Sequence, residues 1–153
     1  MSNESQIKEV LSVVSILIVD DDAPIAELIK SVLSALGFSN IYTANTMDDA
    51  EAYFLEHDVD LVITDWEMEE KTGIDFTNRI RNMEGSKRLT PIIMLSGHSE
   101  KIDIECARKA GITEYVIKPF TAKALCSRIV MIIESPKSFI ISPEYTGPSR
   151  RIA

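Results

Sequence analysis

The sequence predicts an α/β fold in which helices cover both faces of one parallel sheet. Three observations predict it. From residue 16 onward short apolar runs alternate with helical periodicities. The runs starting at 16, 60 and 91 are continuously apolar, the pattern of strands covered on both faces. The segments joining runs to helices are only a few residues long, which suits right-handed strand–helix–strand crossovers.

The strands are expected at ILIVD (16–20), NIYTA (40–44), DLVIT (60–64), PIIML (91–95) and EYVIK (114–118). Between the first two, Ile25, Leu28, Ile29, Val32, Leu33 and Leu36 recur at i, i+3, i+4 and i+7, with Pro24 at a tolerated first-turn position and Gly37 just past the end. Thr46 followed by Asp49 resembles a capping arrangement for a second helix carrying Ala50, Tyr53 and Phe54. A third helix is expected over 74–83, a fourth over 100–110 with Gly111 as its stop, and a fifth from Thr121 to about Glu134 with Leu125, Ile129, Ile132 and Ile133 on one side. Residues 1–15 form an N-terminal extension in which Ile7, Val10, Leu11 and Val14 have helical spacing, although VLSVVS would also suit an extended lead-in. Residues 135–153 hold three of the six prolines and read as an extended tail whose apolar Phe139, Ile140 and Ile141 favour packing on the parent domain or a partner.

Composition narrows the function. With 153 residues, 45% of them hydrophobic, the chain suits one compact domain over 16–134 with its flanks. A net charge of −8, from 24 acids against 16 Lys plus Arg, disfavours a nucleic-acid surface, which needs a basic stripe. Cys106 and Cys126 have no metal-type spacing to His57 or His98 and are expected to be reduced, buried packing residues. The apolar run at 10–19 contains two serines and leads into three aspartates without a small-residue cleavage site, unlike a signal peptide. No stretch reaches the roughly 20 apolar residues of a membrane span, so the expectation is a cytoplasmic protein.

In an open parallel sheet ligands bind beyond the carboxyl ends of the strands. There the sequence places Asp20, Asp21 and Asp22 after the first strand, Asp65 after the third, Ser96 after the fourth, and Lys118 with Pro119 after the fifth. Two like charges about 4 Å apart repel by roughly 4 kcal/mol at an effective dielectric near 20, so clustered carboxylates must raise a pKa or recruit a cation. One lysine cannot neutralise three acids. A hard divalent ion with oxygen ligands, Mg2+ or Mn2+, fits this donor set better than zinc, which favours His or Cys. With the ion present, Asp65 becomes a candidate nucleophile toward phosphorus. Asp22 is also expected to cap the helix beginning near Pro24.

ILIVDDDAPI, DLVITDWEM, PIIMLSG and AGITEYVIKPF, in this order and at these separations, resemble the receiver domains of two-component response regulators, in particular the stand-alone, chemotaxis-regulator-like ones. The match covers about residues 16–134. The resemblance implies a doubly wound, flavodoxin-like three-layer fold with strand order 2-1-3-4-5. It implies Asp65 as phosphoacceptor, Asp21 as a direct metal ligand with Asp20 as its close partner, and the backbone carbonyl of Glu67 as a further ligand. Lys118 would hold the phosphoryl group, and its peptide bond to Pro119 would be cis. Ser96 and Tyr115 would be the switch pair, the first moving to the new phosphate and the second swinging into the vacated space. Glu67 and His98 stand where receivers tune the lifetime of the acyl phosphate.

The implied donor is a histidine kinase or histidine phosphotransfer protein, and the only enzymatic activity would be magnesium-dependent self-phosphorylation and autodephosphorylation. Output would pass through a protein target on the face of the fourth helix, fifth strand and fifth helix, including Lys109, Tyr115 and Lys123, in a monomer or a phosphorylation-dependent dimer. A chemotaxis switch and a phosphorelay intermediate both suit this reading.

Some residues depart from the family pattern or permit a second reading. Glu69 and Glu70 follow Met68 where receivers commonly have proline, adding negative charge near the pocket mouth. Trp66 could gate the pocket or pack over its rim. His57 lies before the third strand, away from the ligand edge, and is expected to be solvated. Two rival functions are a receiver-like binding module working without phosphorylation and a haloacid-dehalogenase-like phosphatase. The first usually loses an acid or the lysine. The second needs Asp where Glu67 stands, and a cap insertion.

Overall fold

A computed structural model describes residues 2–68 and 72–149, with the side chains of 2–5, 7 and 8 excepted. The chain order is α1 (Ser2–Val13), β1 (Ser15–Val19), α2 (Ala23–Ala35), β2 (Asn40–Ala44), α3 (Met47–Glu56), β3 (Leu61–Asp65), α4 (Gly73–Arg81), a 3-10 turn (Gly85–Leu89), β4 (Ile92–Ser96), α5 (Lys101–Ala110), β5 (Glu114–Ile117), α6 (Ala122–Glu134), β6 (Phe139–Ile141) and β7 (Thr146–Pro148). The first five strands form one sheet in the order β2-β1-β3-β4-β5, with flanking helices, as the resemblance implied. Residues up to Ile63 gather into one compact unit and those from Thr64 into another, the division falling inside β3.

In the first unit β1 pairs parallel with β2 from Ser15↔Asn40 to Val19↔Ala44. Every residue of β1 is buried, whereas β2, at the sheet edge, buries only Ala44 fully. That contrast follows from the sequence: ILIV has no polar side chain to offer a solvated face, and NIYTA has several. Helix α2 is capped by Asp22, which accepts the Ile25 N–H at 3.2 Å, and Thr46 caps α3 by accepting the Asp49 N–H at 3.1 Å. Ala26, Ile29 and Leu33 bury the inner stripe of α2, while Leu28 of the predicted stripe is exposed. The N-terminal extension takes the helical alternative, as α1.

In the second unit β4 pairs parallel with β5 from Ile93↔Glu114 to Ser96↔Ile117. Thr72 and Asp75 close a reciprocal capping box that starts α4. Gly111, at φ 108°, ends α5 in the left-handed conformation that only glycine adopts freely. The buried Arg81 crosses this unit's interior edge. It donates to the carbonyls of Gly111 (2.9 Å), Arg88 (2.7 Å) and Thr90 (2.7 Å), tying α4 to two loops.

Two expectations are corrected here. Cys106 is exposed and Cys126 half-buried; α5 buries only Ala107 among its residues, so its cysteine sits on the outer side. The segment after Glu134 is not simply extended: β6 and β7 pair antiparallel from Phe139↔Pro148 to Ile141↔Thr146. Ser142 and Tyr145 close the connecting turn through a 2.9 Å backbone bond, and the Ser142 hydroxyl both accepts from the Tyr145 N–H and donates to its carbonyl. Ser-Pro-Glu-Tyr places serine and proline where a tight turn prefers them.

Candidate functional site

Asp20 follows β1 directly and is 2% exposed. Its N–H donates to the Ala44 carbonyl at 3.1 Å, its Oδ1 accepts the Asp22 N–H at 2.9 Å, and its carbonyl accepts from Asn45 Nδ2 at 3.0 Å. This carboxylate is therefore held in place by backbone geometry before any ligand arrives. Asp21, the next residue, is exposed.

Asp65 is the last residue of β3 and half-buried. The next N–H, from Trp66, donates to the Leu95 carbonyl at 3.0 Å, and the Thr64 hydroxyl donates to the Asp65 carbonyl at 3.0 Å. The Lys118 ammonium lies 3.0 Å from Asp65 Oδ1, with the two side chains 30% and 13% exposed. Lys118 is itself fixed by its N–H, which donates to the Ser96 carbonyl at 2.7 Å, and its bond to Pro119 is cis, as the resemblance implied.

Ser96 ends β4 almost fully buried, its hydroxyl accepting the His98 N–H at 2.9 Å. Tyr115 reaches the same loop from β5: its hydroxyl donates to the His98 carbonyl at 2.6 Å. Burial raises the pKa of that phenol, the Ser96 hydrogen bond opposes the shift, and the charge of Asp103 adds to it. The Trp66 ring lies 5.1 Å from that of His98 and 6.3 Å, edge-on, from that of Tyr115. It is packed at the rim rather than free in solution.

His98 and Glu67 meet side chain to side chain, Nε2 to Oε1 at 2.5 Å, while His98 Nδ1 stands 3.6 Å from Asp103 Oδ2. The Glu67 hydrogen bond is the main reason the His98 pKa is raised. Partial desolvation pulls it down, and the charges of Glu67 and Asp103 lift it further. Asp103 is a participant the sequence reading missed. Its five-residue separation from His98 spans a loop and the first turn of α5, so no periodicity joins them. Glu69 and Glu70 lie outside the described residues, as do Arg150 and Arg151 at the end of the tail.

Asp20, Asp21 and Asp65 each offer one carboxylate oxygen, and the three atoms lie within 4.8 Å of one another. Among the described residues this is the group of acids, histidines or cysteines that could hold a metal ion. The donors are all carboxylate oxygens, the ligand type of a hard cation. His57, by contrast, caps the end of α3 and stacks on Tyr53 with ring centres 4.0 Å apart. It plays no part in the acidic cluster.

Comparison with known proteins agrees with this arrangement. Residues 16–130 match the response regulator receiver domain family. The chemotaxis protein CheY of Pseudomonas aeruginosa is 40% identical over 121 residues, spanning 78% of this chain and 95% of its own. CheY-3 of Vibrio cholerae is 37% identical over 119 residues, spanning 78% and 91%. Among solved structures, CheY4 of Vibrio cholerae superposes with a TM-score of 0.72 at 26% identity over 78% of this chain and 98% of that one. A sheet of order 2-1-3-4-5, an acidic cluster at its strand ends and a match over residues 16–130 lead to one conclusion: the chain belongs to the response regulator receiver family.

Proposed function

We propose that Asp65 accepts a phosphoryl group from a histidine kinase or histidine phosphotransfer protein and that the chain signals the event through protein contacts. The observation that carries this reading is the Lys118 ammonium 3.0 Å from Asp65 Oδ1, beside the carboxylates of Asp20 and Asp21. An Asp65 oxygen attacks phosphorus as the bond from phosphorus to the donor nitrogen breaks, and the imidazole leaves with the electron pair of that bond. Lys118 balances charge on the equatorial oxygens, which are three acceptors where one carboxylate stood before. The Ser96 hydroxyl, which accepts the His98 N–H, would move to donate to the new phosphate.

A magnesium or manganese ion would be held by Asp21 and Asp65, with Asp20 in support and the Glu67 carbonyl as a further ligand; when bound it supplies electrostatic stabilisation of the transferring group. Glu67 and His98 stand at the mouth and set how readily water reaches the acyl phosphate. Lys109, Tyr115 and Lys123 belong to the surface offered to a downstream protein. The chemotaxis names of the relatives support output by protein contact without identifying the target.

Incubation with acetyl phosphate and magnesium, followed by intact mass measurement, tests the reading. Wild type should gain one phosphate mass and Asp65→Asn none. An adduct of equal yield on Asp65→Asn would refute the assignment, and absence of any adduct on wild type would favour the phosphorylation-independent binding module.

A further inference from the structure

The family match ends at residue 130, yet the chain goes on into a hairpin that docks on its own β5. Three contacts hold it there. The Arg81 guanidinium lies 4.9 Å above the Phe139 ring while its Nε donates to the Gly111 carbonyl at 2.9 Å. Lys137 donates to the Thr113 carbonyl at 3.1 Å and stands 3.8 Å from the Glu114 carboxylate. Gly147 and Gly111 pass closely: a methyl on Gly147 would lie 2.6 Å from the Tyr145 hydroxyl and 2.9 Å from Gly111 Cα, and a methyl on Gly111 would lie 2.7 Å from the Thr146 carbonyl oxygen. Gly147 and Pro148 are buried as a result.

Two of the contacts fall directly on residues 111–114, the turn before β5 and its first residue, and the first reaches Gly111 through Arg81. That strand is four residues long and lies at the sheet edge, paired on one side with β4. The residue after the gripped segment is Tyr115, whose hydroxyl holds the His98 carbonyl, and the residue just past the strand is Lys118, whose ammonium holds Asp65. One short strand thus connects the hairpin at its root to both pocket contacts. Ile140 and Tyr145 of the hairpin also share with Tyr115 and Arg128 the lining of a groove of about 1030 Å3, so the hairpin stands on the face that β5 presents.

We propose that residues 136–149 are an intramolecular clamp that fixes β5 and thereby holds Tyr115 and Lys118 in register with the phosphoacceptor pocket. The inference rests on the reading of Asp65 as phosphoacceptor. A group held in place before binding spares the ligand the cost of ordering it, so the docked hairpin strengthens the hold on a phosphoryl group. Linkage requires the reverse as well: filling the pocket tightens docking of the hairpin by the same factor.

The test uses the full chain and beryllium fluoride with magnesium as the phosphoryl analogue. Trp66, the single tryptophan and a neighbour of His98 and Tyr115, reports binding by fluorescence. Gly147→Ala should press on both the Tyr145 ring and Gly111 and so disturb the docked hairpin, and Lys137→Met should remove the polar grip while keeping the apolar stem; far-UV circular dichroism verifies their fold. Each should bind the analogue about fivefold more weakly than wild type. In unsubstituted protein the analogue should slow amide exchange across 139–148. Affinities within twofold of wild type in both variants, or exchange unchanged by the analogue, would overturn the clamp while leaving phosphoacceptance intact. If wild type itself shows no binding, the reading of Asp65 fails and the clamp with it.

Discussion

Lys118→Met removes the cation beside Asp65 and keeps most of the apolar stem. At the observed 3.0 Å the gross attraction is about 5 kcal/mol for an effective dielectric near 20. Lys118 is nearly a third exposed, so solvent screening and the cost of desolvating both partners leave a net of about 1.5 to 3 kcal/mol. On the proposed reading the same ammonium would meet the greater negative charge of the transferring phosphoryl group, so the loss would fall on the transition state at least as heavily as on the resting pair. Each 1.4 kcal/mol is about tenfold in rate, which predicts phosphorylation by acetyl phosphate slowed roughly 10- to 100-fold in saturating magnesium. The assay is Trp66 fluorescence against time, calibrated by intact mass. Lys118→Arg should recover only part of the rate, because a planar fork cannot place its charge where a compact ammonium sits. A Lys118→Met rate within threefold of wild type, with the fold preserved, would refute the claim that this pair prepares Asp65 for phosphorus.

Three further predictions concern the pocket mouth and its floor. The raised pKa of His98 means that the fold favours its protonated form: the stabilisation is fully present below the unfolded value of about 6.5 and is lost as pH rises through the folded pKa. Glu67→Gln should move the His98 value down toward the unfolded one in an NMR titration of its ring protons, and an unmoved value would show that the hydrogen bond at Nε2 is not the cause. The same contact should matter to phosphate lifetime, so Glu67→Asn and His98→Glu should each change the dephosphorylation rate in magnesium. At the floor, a methyl on the buried Gly73 would overlap the Asp65 carbonyl oxygen and press on Met94, so Gly73→Ala should cost about 1 to 3 kcal/mol and shift the phosphoacceptor loop. Urea denaturation gives the first quantity and the acetyl phosphate rate the second; a variant equal to wild type in both would show that the loop yields at no cost.

Much of this was legible because strand burial writes itself into residue type. ILIV, LVIT and IIML became the inner strands, and the more mixed NIYTA and EYVI became the two edges. Caps at Asp22, Thr46 and Gly111 were equally readable, since each satisfies a local backbone requirement. What escaped was non-local. The His98 to Asp103 contact depends on how a loop enters α5. The burial of Arg81 depends on three carbonyls drawn from two separate loops. The hairpin escaped for a different reason: its strands are three residues each, too short for periodicity, and the prolines at 136, 143 and 148 argued for an open tail. Ser142-Pro143 followed by Tyr145 was the signal that could have found the turn.

The pocket's residues differ in how they are held, and the difference bears on which of them can carry a signal. Asp20, Asp65, Ser96 and Lys118 are placed by the backbone at or beside strand ends, where one ladder bond fixes each neighbouring peptide. Moving them requires breaking sheet hydrogen bonds. His98, Glu67 and Tyr115 hold one another largely through side-chain contacts at a partly exposed rim, and each such contact can be exchanged for water or phosphate at little net cost. On the proposed reading, a dianionic group at Asp65 would leave the strand-end backbone in place and act on the side-chain contacts beside it, where the Ser96 hydroxyl and the His98 N–H would exchange their mutual hydrogen bond for bonds to the phosphate. Because Tyr115 holds the His98 carbonyl, a turn of that peptide would, on the same reading, pass to β5 and to the face that the hairpin shares.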